Sequence, residues 1–235
     1  LEYTPKEDDN RISLDFFFDD FKNPGFEKRV KKYLESLSSF FPFLQLFHMK
    51  FSSKNTFPHS AGIASSASAF SSLALCLCSM EKELFGTLPD DQDFFRKASF
   101  MARLGSGSAS RSTYGGLVVW GWDEKFPDSN DEYAIPLDEI FINSFLLEIQ
   151  DAILIVDSGT KKISSSVGHK LMNDHPWAGA RYQQARNNFS GILKAAQEND
   201  IELFFRIIEN EALSLHALML SSDPGYILIN QNTTG

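Results

Sequence analysis

Apolar residues recur along the chain in two rhythms. Alternating, β-prone stretches at Arg11 to Phe18 (RISLDFFF) and Leu44 to Ser52 (LQLFHMKFS) each predict a strand. Between them Pro24-Gly25 breaks the chain. Val30, Tyr33, Leu34 and Leu37 then fall at helical intervals among Lys and Glu, which predicts a helix over Phe26 to Phe40. The Ala/Ser/Leu run from Ala64 to Met80 predicts a second helix, because small residues and Leu favour helix over strand. Pro89-Asp90-Asp91 opens a third, its acidic first turn complementing the helix dipole, and it runs to about Leu104. Gly105 to Ser112 reads as a Gly/Ser loop and Leu117 to Trp120 (LVVW) as a buried strand. Asn130 to Pro136 is a polar connection, Ala152 to Val156 (AILIV) a short buried strand, and Lys161 to Ser166 a polar loop. Helices over Ala180 to Glu198 and Ile201 to about Leu220 complete the pattern.

Strands concentrate before Asp151 and helices after it. That division predicts an α+β protein of two lobes, residues 1–148 and 149–235. With 43% hydrophobic and 23% charged residues, the composition is that of a folded globular protein rather than a disordered chain. A net charge of −9 argues against nonspecific binding to nucleic acid or to an anionic membrane. A local basic site for a small phosphorylated ligand is compatible with it. Cys76 and Cys78 lie two apart in an apolar helical run, so they read as small hydrophobes and suit a reducing cytoplasm. Leu1-Glu2-Tyr3-Thr4-Pro5 lacks a leader pattern. Leu1 at the start and the abrupt stop at Gly235 read as an internal piece of a longer protein.

The sequence lacks G-x-x-x-x-G-K-[ST], H-E-x-x-H and G-x-S-x-G. His48, His59, His169, His175 and His216 show no metal-ligand spacing and read as surface or satisfied core histidines. Asp90-Asp91 and Asp123-Glu124 read as solvated turns. Two segments carry more. In Pro58 to Ala69 (PHSAGIASSASA) a glycine and small residues let backbone approach a ligand, and the helix that follows turns its free N–H groups back on the loop, which suits phosphate. An ordinary Ser-capped, Ala-rich helix is the competing explanation. In Arg103 to Ser112 (RLGSGSASRS) four serines, two glycines and flanking arginines form a donor-rich surface able to clamp phosphate or carboxylate. A free Ser/Gly tether fits poorly there, with a helix and a strand immediately on either side. Two anion cradles in an acidic chain point to two phosphorylated ligands and to a phosphate-handling enzyme such as a kinase.

PHSAGIASSASAF resembles the P-x-x-x-G-L-A-S-S-A phosphate loop of the GHMP kinase superfamily. RLGSGSASRSTYGGLVVW resembles the R-x-G-S-G-S-A-C-R-S-x-x-G-G signature of the diphosphomevalonate decarboxylase family within it. Lys161 to Gly168 (KKISSSVG) is similar to the family's K-K-x-S-S-x-x-G segment, and Glu209 to Leu220 (ENEALSLHALML) to its late helix. The resemblance implies a GHMP-kinase-like α+β fold, with a ribosomal-protein-like β-α-β lobe and a ferredoxin-like helix-rich lobe, here lacking both chain ends. It implies ATP and Mg²⁺, and transfer of phosphate to the 3-hydroxyl of mevalonate 5-diphosphate. Loss of that phosphate with carbon dioxide then gives isopentenyl diphosphate. Carried over by position, Gly62, Ala64, Ser65 and Ser66 belong to the ATP loop, and Lys161, Ser164 and Ser165 close over the nucleotide. Ser106 and Ser108 hold the substrate diphosphate, and Arg111 grips its carboxylate as the catalytic residue. A cytoplasmic homodimer is also implied. Ser110 stands where the family usually has Cys. The family's N-terminal lysine motif and its catalytic D-x-G-x-N are not in this sequence, and Asp223-Pro224-Gly225 does not fill the latter. A kinase or monophosphate-specific relative, or a binding protein without catalysis, are the alternatives.

Overall fold

The computed structural model describes residues 1–7, 9–57, 63–137, 144–154, 168 and 171–229 of the chain. Contacts divide it into two units, one comprising residues 1–59 and 64–136, the other 60–63 and 137–235.

The first unit is built on a β-α-β core. Strand β1 (Glu2–Pro5) is followed by β2 (Ser13–Phe18) and β3 (Phe21–Lys22), then helix α1 (Pro24–Ser36), a 3-10 turn (Pro42–Gln45) and β4 (Phe47–Ser53). The sheet order is β1-β4-β2-β3, with β2 and β4 parallel and the two outer pairings antiparallel. Asp19 and Asp20, both at positive φ, turn β2 into β3 as a two-residue hairpin connection. Pro24-Gly25 does not break the chain. Asn23 caps α1 by accepting from the Phe26 N–H, and Pro24 occupies the first helical turn, where its missing N–H costs nothing. The helix also stops earlier than its apolar spacing suggests, at Ser36, and Leu37, Phe41, Phe43 and Leu44 pack as a buried corner.

Helices α2 (Ser65–Phe85) and α3 (Asp91–Gly105) cover this sheet. Gly86, at φ 64, ends α2, and Asp90 caps α3 by accepting from the Asp93 N–H. Phe70 lies against Gly105 and Glu81 pairs with Lys97 at 2.7 Å, so the helices run antiparallel. Small residues recur on their buried faces. Ala67, Ser71, Ala74 and Cys78 on α2 and Ala98 and Ala102 on α3 are buried at helical spacing. The predicted Gly/Ser loop is instead the last turn of α3 followed by a 3-10 helix (Gly107–Thr113). The predicted strand at Leu117 to Trp120 contracts to β5 (Val118–Val119), paired antiparallel with β6 (Ile135–Pro136).

In the second unit, α4 (Ser144–Glu148) precedes α5 (Ala178–Glu198) and α6 (Ile201–Ser221). Asn199 ends α5 at φ 60, and Asp200 caps α6 by accepting from Leu203 N–H, so the hairpin is closed by two residues. Between the helices Glu211 pairs with Arg181 and accepts from Asn188 Nδ2 at 2.7 Å, while Gln184 donates to Ser214 Oγ at 2.9 Å. The expected strand at Ala152 to Val156 does not form over its described part. Residues 152–154 lack regular structure and Leu154 is 85% exposed, because no neighbouring strand pairs with them among the described residues. Val156 lies outside the described residues.

Two consequences can be measured. A Cβ at Gly105 would overlap the Phe70 ring. Gly105→Ala should therefore destabilise the first unit by ~1–3 kcal/mol despite alanine's better helix propensity. The loss should shrink in the Phe70→Ala background, as read by urea denaturation. Burial also pushes the Cys78 thiol up to about 12. The folded chain then keeps a proton that the unfolded chain sheds, so stability should fall as pH rises from about 9 towards about 12. Urea midpoints followed from neutral pH into that window should show the fall, and Cys78→Ala should reduce it, the remainder coming from Tyr33 and Tyr114, whose hydroxyl pKa values burial also raises.

Candidate functional site

The antiparallel α2–α3 pair brings the start of one helix and the end of the other to the same end of the first unit. There a cleft of about 320 Å³ is lined by Ala64 and Ala67 from α2 and Ser108, Arg111 and Ser112 from the 3-10 helix, with Gly116 to Val118 beyond. Both segments that the sequence marks as anion cradles therefore open into one cavity.

Each side contributes a different kind of donor. α2 is not capped by a serine, the competing explanation for its opening. Its N-cap is Ala64, held at φ 55 with no side-chain cap. The Ala64 carbonyl accepts from the Ala67 and Ser68 N–H groups, which leaves the Ser65 and Ser66 N–H groups without a partner among the described residues. Uncapped N–H groups at the positive end of a 21-residue helix favour an anion. Ser65 is half-buried and Ser66 exposed. Neither lines the cleft itself, although Ala64 and Ala67 on either side do.

On the other side, three residues per turn sort the 3-10 helix into edges. Ser108 and Arg111, three apart, share the edge that faces the cleft, whereas Ser110 and Thr113 share a buried one. Ser110 is fully buried and its hydroxyl donates to Gly107 O at 2.8 Å, so the residue that departs from the family pattern is part of the framework. Gly107 has the Trp120 ring against it, so a Cβ there would make a tight contact of 3.0 Å. Ser106 begins this helix, its N–H bonded to Ala102 O, and does not line the cleft. Arg111 is exposed and, among the described residues, its guanidinium makes no ion pair or hydrogen bond, while its carbonyl accepts from the Tyr114 N–H. Arg103 is spent elsewhere. Its Nε donates to Glu132 O at 2.6 Å and its guanidinium lies 5.1 Å from the Phe100 ring centroid. Only one of the two flanking arginines therefore serves the cleft.

Gly62, Lys161, Ser164 and Ser165 lie outside the described residues, as do His59 and His169. His175 is a satisfied core histidine. Its Nδ1 accepts from the Trp177 N–H at 3.2 Å, which places the ring proton of the neutral form on Nε2, 3.1 Å from Ser221 Oγ. Among the described residues no three His, Cys, Asp or Glu side chains gather as a metal site. Ala67 and Ser112 fall within the two sequence-marked cradles without an assigned role, whereas Gly116, Leu117 and Val118 are lining residues that the sequence did not mark. Gly116, at φ 72, had a visible signal in the Gly-Gly of the second signature.

The fold is that of mevalonate diphosphate decarboxylases. The crystal structure of the enzyme from Legionella pneumophila superposes with a TM-score of 0.72 over 99% of this chain and 69% of its own, at 23% identity. That from Staphylococcus aureus gives 0.72 over 97% and 64%, at 27% identity. Residues 4–134 match the family model for the diphosphomevalonate decarboxylase-like N-terminal domain, and the chain belongs to that family. Diphosphomevalonate decarboxylase from Ganoderma lucidum is 32% identical over 205 residues, 86% of this chain and 48% of the relative. The chain spans about half the length of the curated relatives it matches.

If the cleft binds anions through its one free guanidinium, inorganic pyrophosphate should protect Arg111 from phenylglyoxal and leave the modification of Arg103 unchanged. Peptide mapping after a short exposure reads this directly, and equal protection of both arginines would contradict it.

Proposed function

We propose that this protein acts in the ATP-dependent decarboxylation of mevalonate 5-diphosphate to isopentenyl diphosphate. One observation carries the reading. In a chain of this family, an uncapped helix N-terminus and a free arginine face the same cleft, so two anionic ligands can meet there. Phosphoryl transfer needs that meeting, because donor and acceptor oxygens must come into line.

Ser65 and Ser66, with Ala64 and Gly62, are assigned to the ATP phosphates. Backbone N–H groups at a helix start suit a polyphosphate, and the small side chains beside them let it approach. Lys161, Ser164 and Ser165 are assigned to the nucleotide by family position. Ser106 and Ser108 are assigned to the substrate diphosphate and Arg111 to its carboxylate. In the reaction the γ-phosphoryl group passes to the 3-oxygen. The C3–O bond then breaks with phosphate as leaving group, and the electron pair of the bond to the carboxylate becomes the new double bond as carbon dioxide departs. The planar Arg111 fork can hold both carboxylate oxygens and so fix the breaking C–C bond relative to the departing phosphate. No carboxylate cluster among the described residues is suited to a protein-held cation. Mg²⁺ fits as an ion carried on the ATP oxygens, where it neutralises charge. A fold neighbour of TM-score 0.70 and 22% identity is a complex with MVAPP, AMPPCP and magnesium, so this fold accommodates such ligands in another protein.

The proposal includes a division at residues 148 and 149 into two lobes and a cytoplasmic homodimer without nucleic-acid or membrane partners. All six described strands lie before residue 137, and among the described residues no helix is long and apolar enough to cross a membrane.

Arg111→Lys, assayed as ATP-dependent release of labelled carbon dioxide in the protein as it occurs in the cell, should lower kcat by an amount equivalent to ~2–4 kcal/mol. The KM for ATP should stay within about twofold, because lysine keeps the charge and loses only the fork. Ser108→Ala should weaken mevalonate diphosphate binding in calorimetric titration while ATP affinity holds. Equal losses for both ligands would show that the two sides of the cleft do not divide the work.

A further inference from the structure

Ser99 lies within α3, does not line the cleft, and is fully buried, yet its hydroxyl joins three segments of chain. Oγ donates to the carbonyl of Ser110 at 2.8 Å and accepts from the N–H of Ala134 at 2.8 Å. The same Ser110 carbonyl accepts from Thr113 Oγ1 at 3.0 Å. Helix α3, the 3-10 helix and the chain entering β6 are thus tied at one oxygen.

The Ser110 carbonyl belongs to the peptide unit whose nitrogen is that of Arg111. Two hydroxyl donors on that oxygen, one rooted in a buried helix, fix the plane of the peptide. The plane fixes the Arg111 Cα and the direction in which its side chain leaves the helix. Among the described residues the Arg111 guanidinium meets no acceptor. Its aim is set from the backbone.

We infer that Ser99 is a positioning residue for Arg111, acting through the Ser110 carbonyl to hold the guanidinium over the cleft. The inference rests on the reading of Arg111 as the carboxylate clamp. Small errors in placing such a group cost rate more than binding, and a misplacement near 1 Å can cost ~10²-fold.

A double-mutant cycle tests this in the protein as it occurs in the cell, with kcat for carbon dioxide release and both KM values as readouts. Ser99→Ala is expected to lower kcat by about 10- to 100-fold when Arg111 is present, and by less than about twofold when Arg111 is already alanine. The KM for ATP should move by less than about twofold in both backgrounds. A residue that merely stabilises the fold would lower kcat equally in both backgrounds, and that result would overturn the inference. If Arg111→Ala itself leaves kcat unchanged, the reading of Arg111 fails first and takes this inference with it. Thr113→Val, nearly isosteric, removes the second donor to the same carbonyl and should show the same dependence on Arg111. It keeps the test decisive should Ser99→Ala not fold.

Discussion

The close antiparallel packing of α2 on α3 is the constraint on which the site depends. Helices approach closely only where side chains between them are small, and the buried residues of the pair include Ala67, Ser71, Ala74 and Cys78 on α2 and Ala98 and Ala102 on α3, with Phe70 lying against Gly105. Since the helices are antiparallel, the pair puts the first residues of α2 and the last of α3 at one end. A bulkier face would separate those ends and open the cleft that needs both. The cross-links are set at the sides of the small seam. Lys97 reaches Glu81 and lies over the Phe41 ring, and Tyr33 from α1 donates to Met101 O at 2.8 Å. Lys97 and Glu81 are both mostly buried, so losing either would leave the other as a poorly solvated charge. The packing and the pairing therefore enforce one register.

That register gives an acidic protein a local site for anions. The chain carries −9 overall, and most described cations near the site's elements are already engaged, Lys97 with Glu81 and Arg103 with a carbonyl and a ring. Arg111 is left over. A free guanidinium beside an uncapped helix N-terminus concentrates positive potential in a small region, while the remaining surface repels polyanions too large to enter it. Charge of this kind favours a small anion over an extended polyanion.

The parts legible in the sequence are those whose period is 2 or 3.6. α1 shows apolar helical spacing and β2 and β4 alternate, while α2 is legible from its run of small residues and Leu and α3 from its acidic first turn. The misreadings have separate physical causes. Pro24-Gly25 was a breaker by composition, but Asn23 ahead of it supplies a cap that turns the proline into a helix start. AILIV at 152–156 is a strand by propensity, and over its described part, residues 152–154, propensity yields where no ladder partner is present among the described residues. The Gly/Ser run hid a 3-10 helix because a three-residue period over seven residues matches neither template. Of the residues that the resemblance assigns, Ala64, Ser108 and Arg111 line the cleft. The resemblance could not show that Arg103 and Arg111, both in the same signature, would have opposite fates.

Those fates follow from what the neighbouring backbone demands. Arg103 stands in the last turn of α3 beside the segment entering β6, where the Glu132 carbonyl needs a donor and the Phe100 face accepts a cation. Arg111 stands where the local backbone is already satisfied. Ser99 and Thr113 cover the Ser110 carbonyl, Ser110 covers Gly107, and the N–H of Ala109 bonds to Ser106 O. With the internal carbonyls satisfied by short hydroxyl donors, the Arg111 guanidinium is left without a partner among the described residues. The serines of this segment therefore have two kinds of work. The buried ones, at 99 and 110, satisfy the framework, and that satisfaction leaves Ser108 and Arg111 available to a ligand. A sequence so rich in serine looks like a flexible tether, yet its buried half makes it rigid.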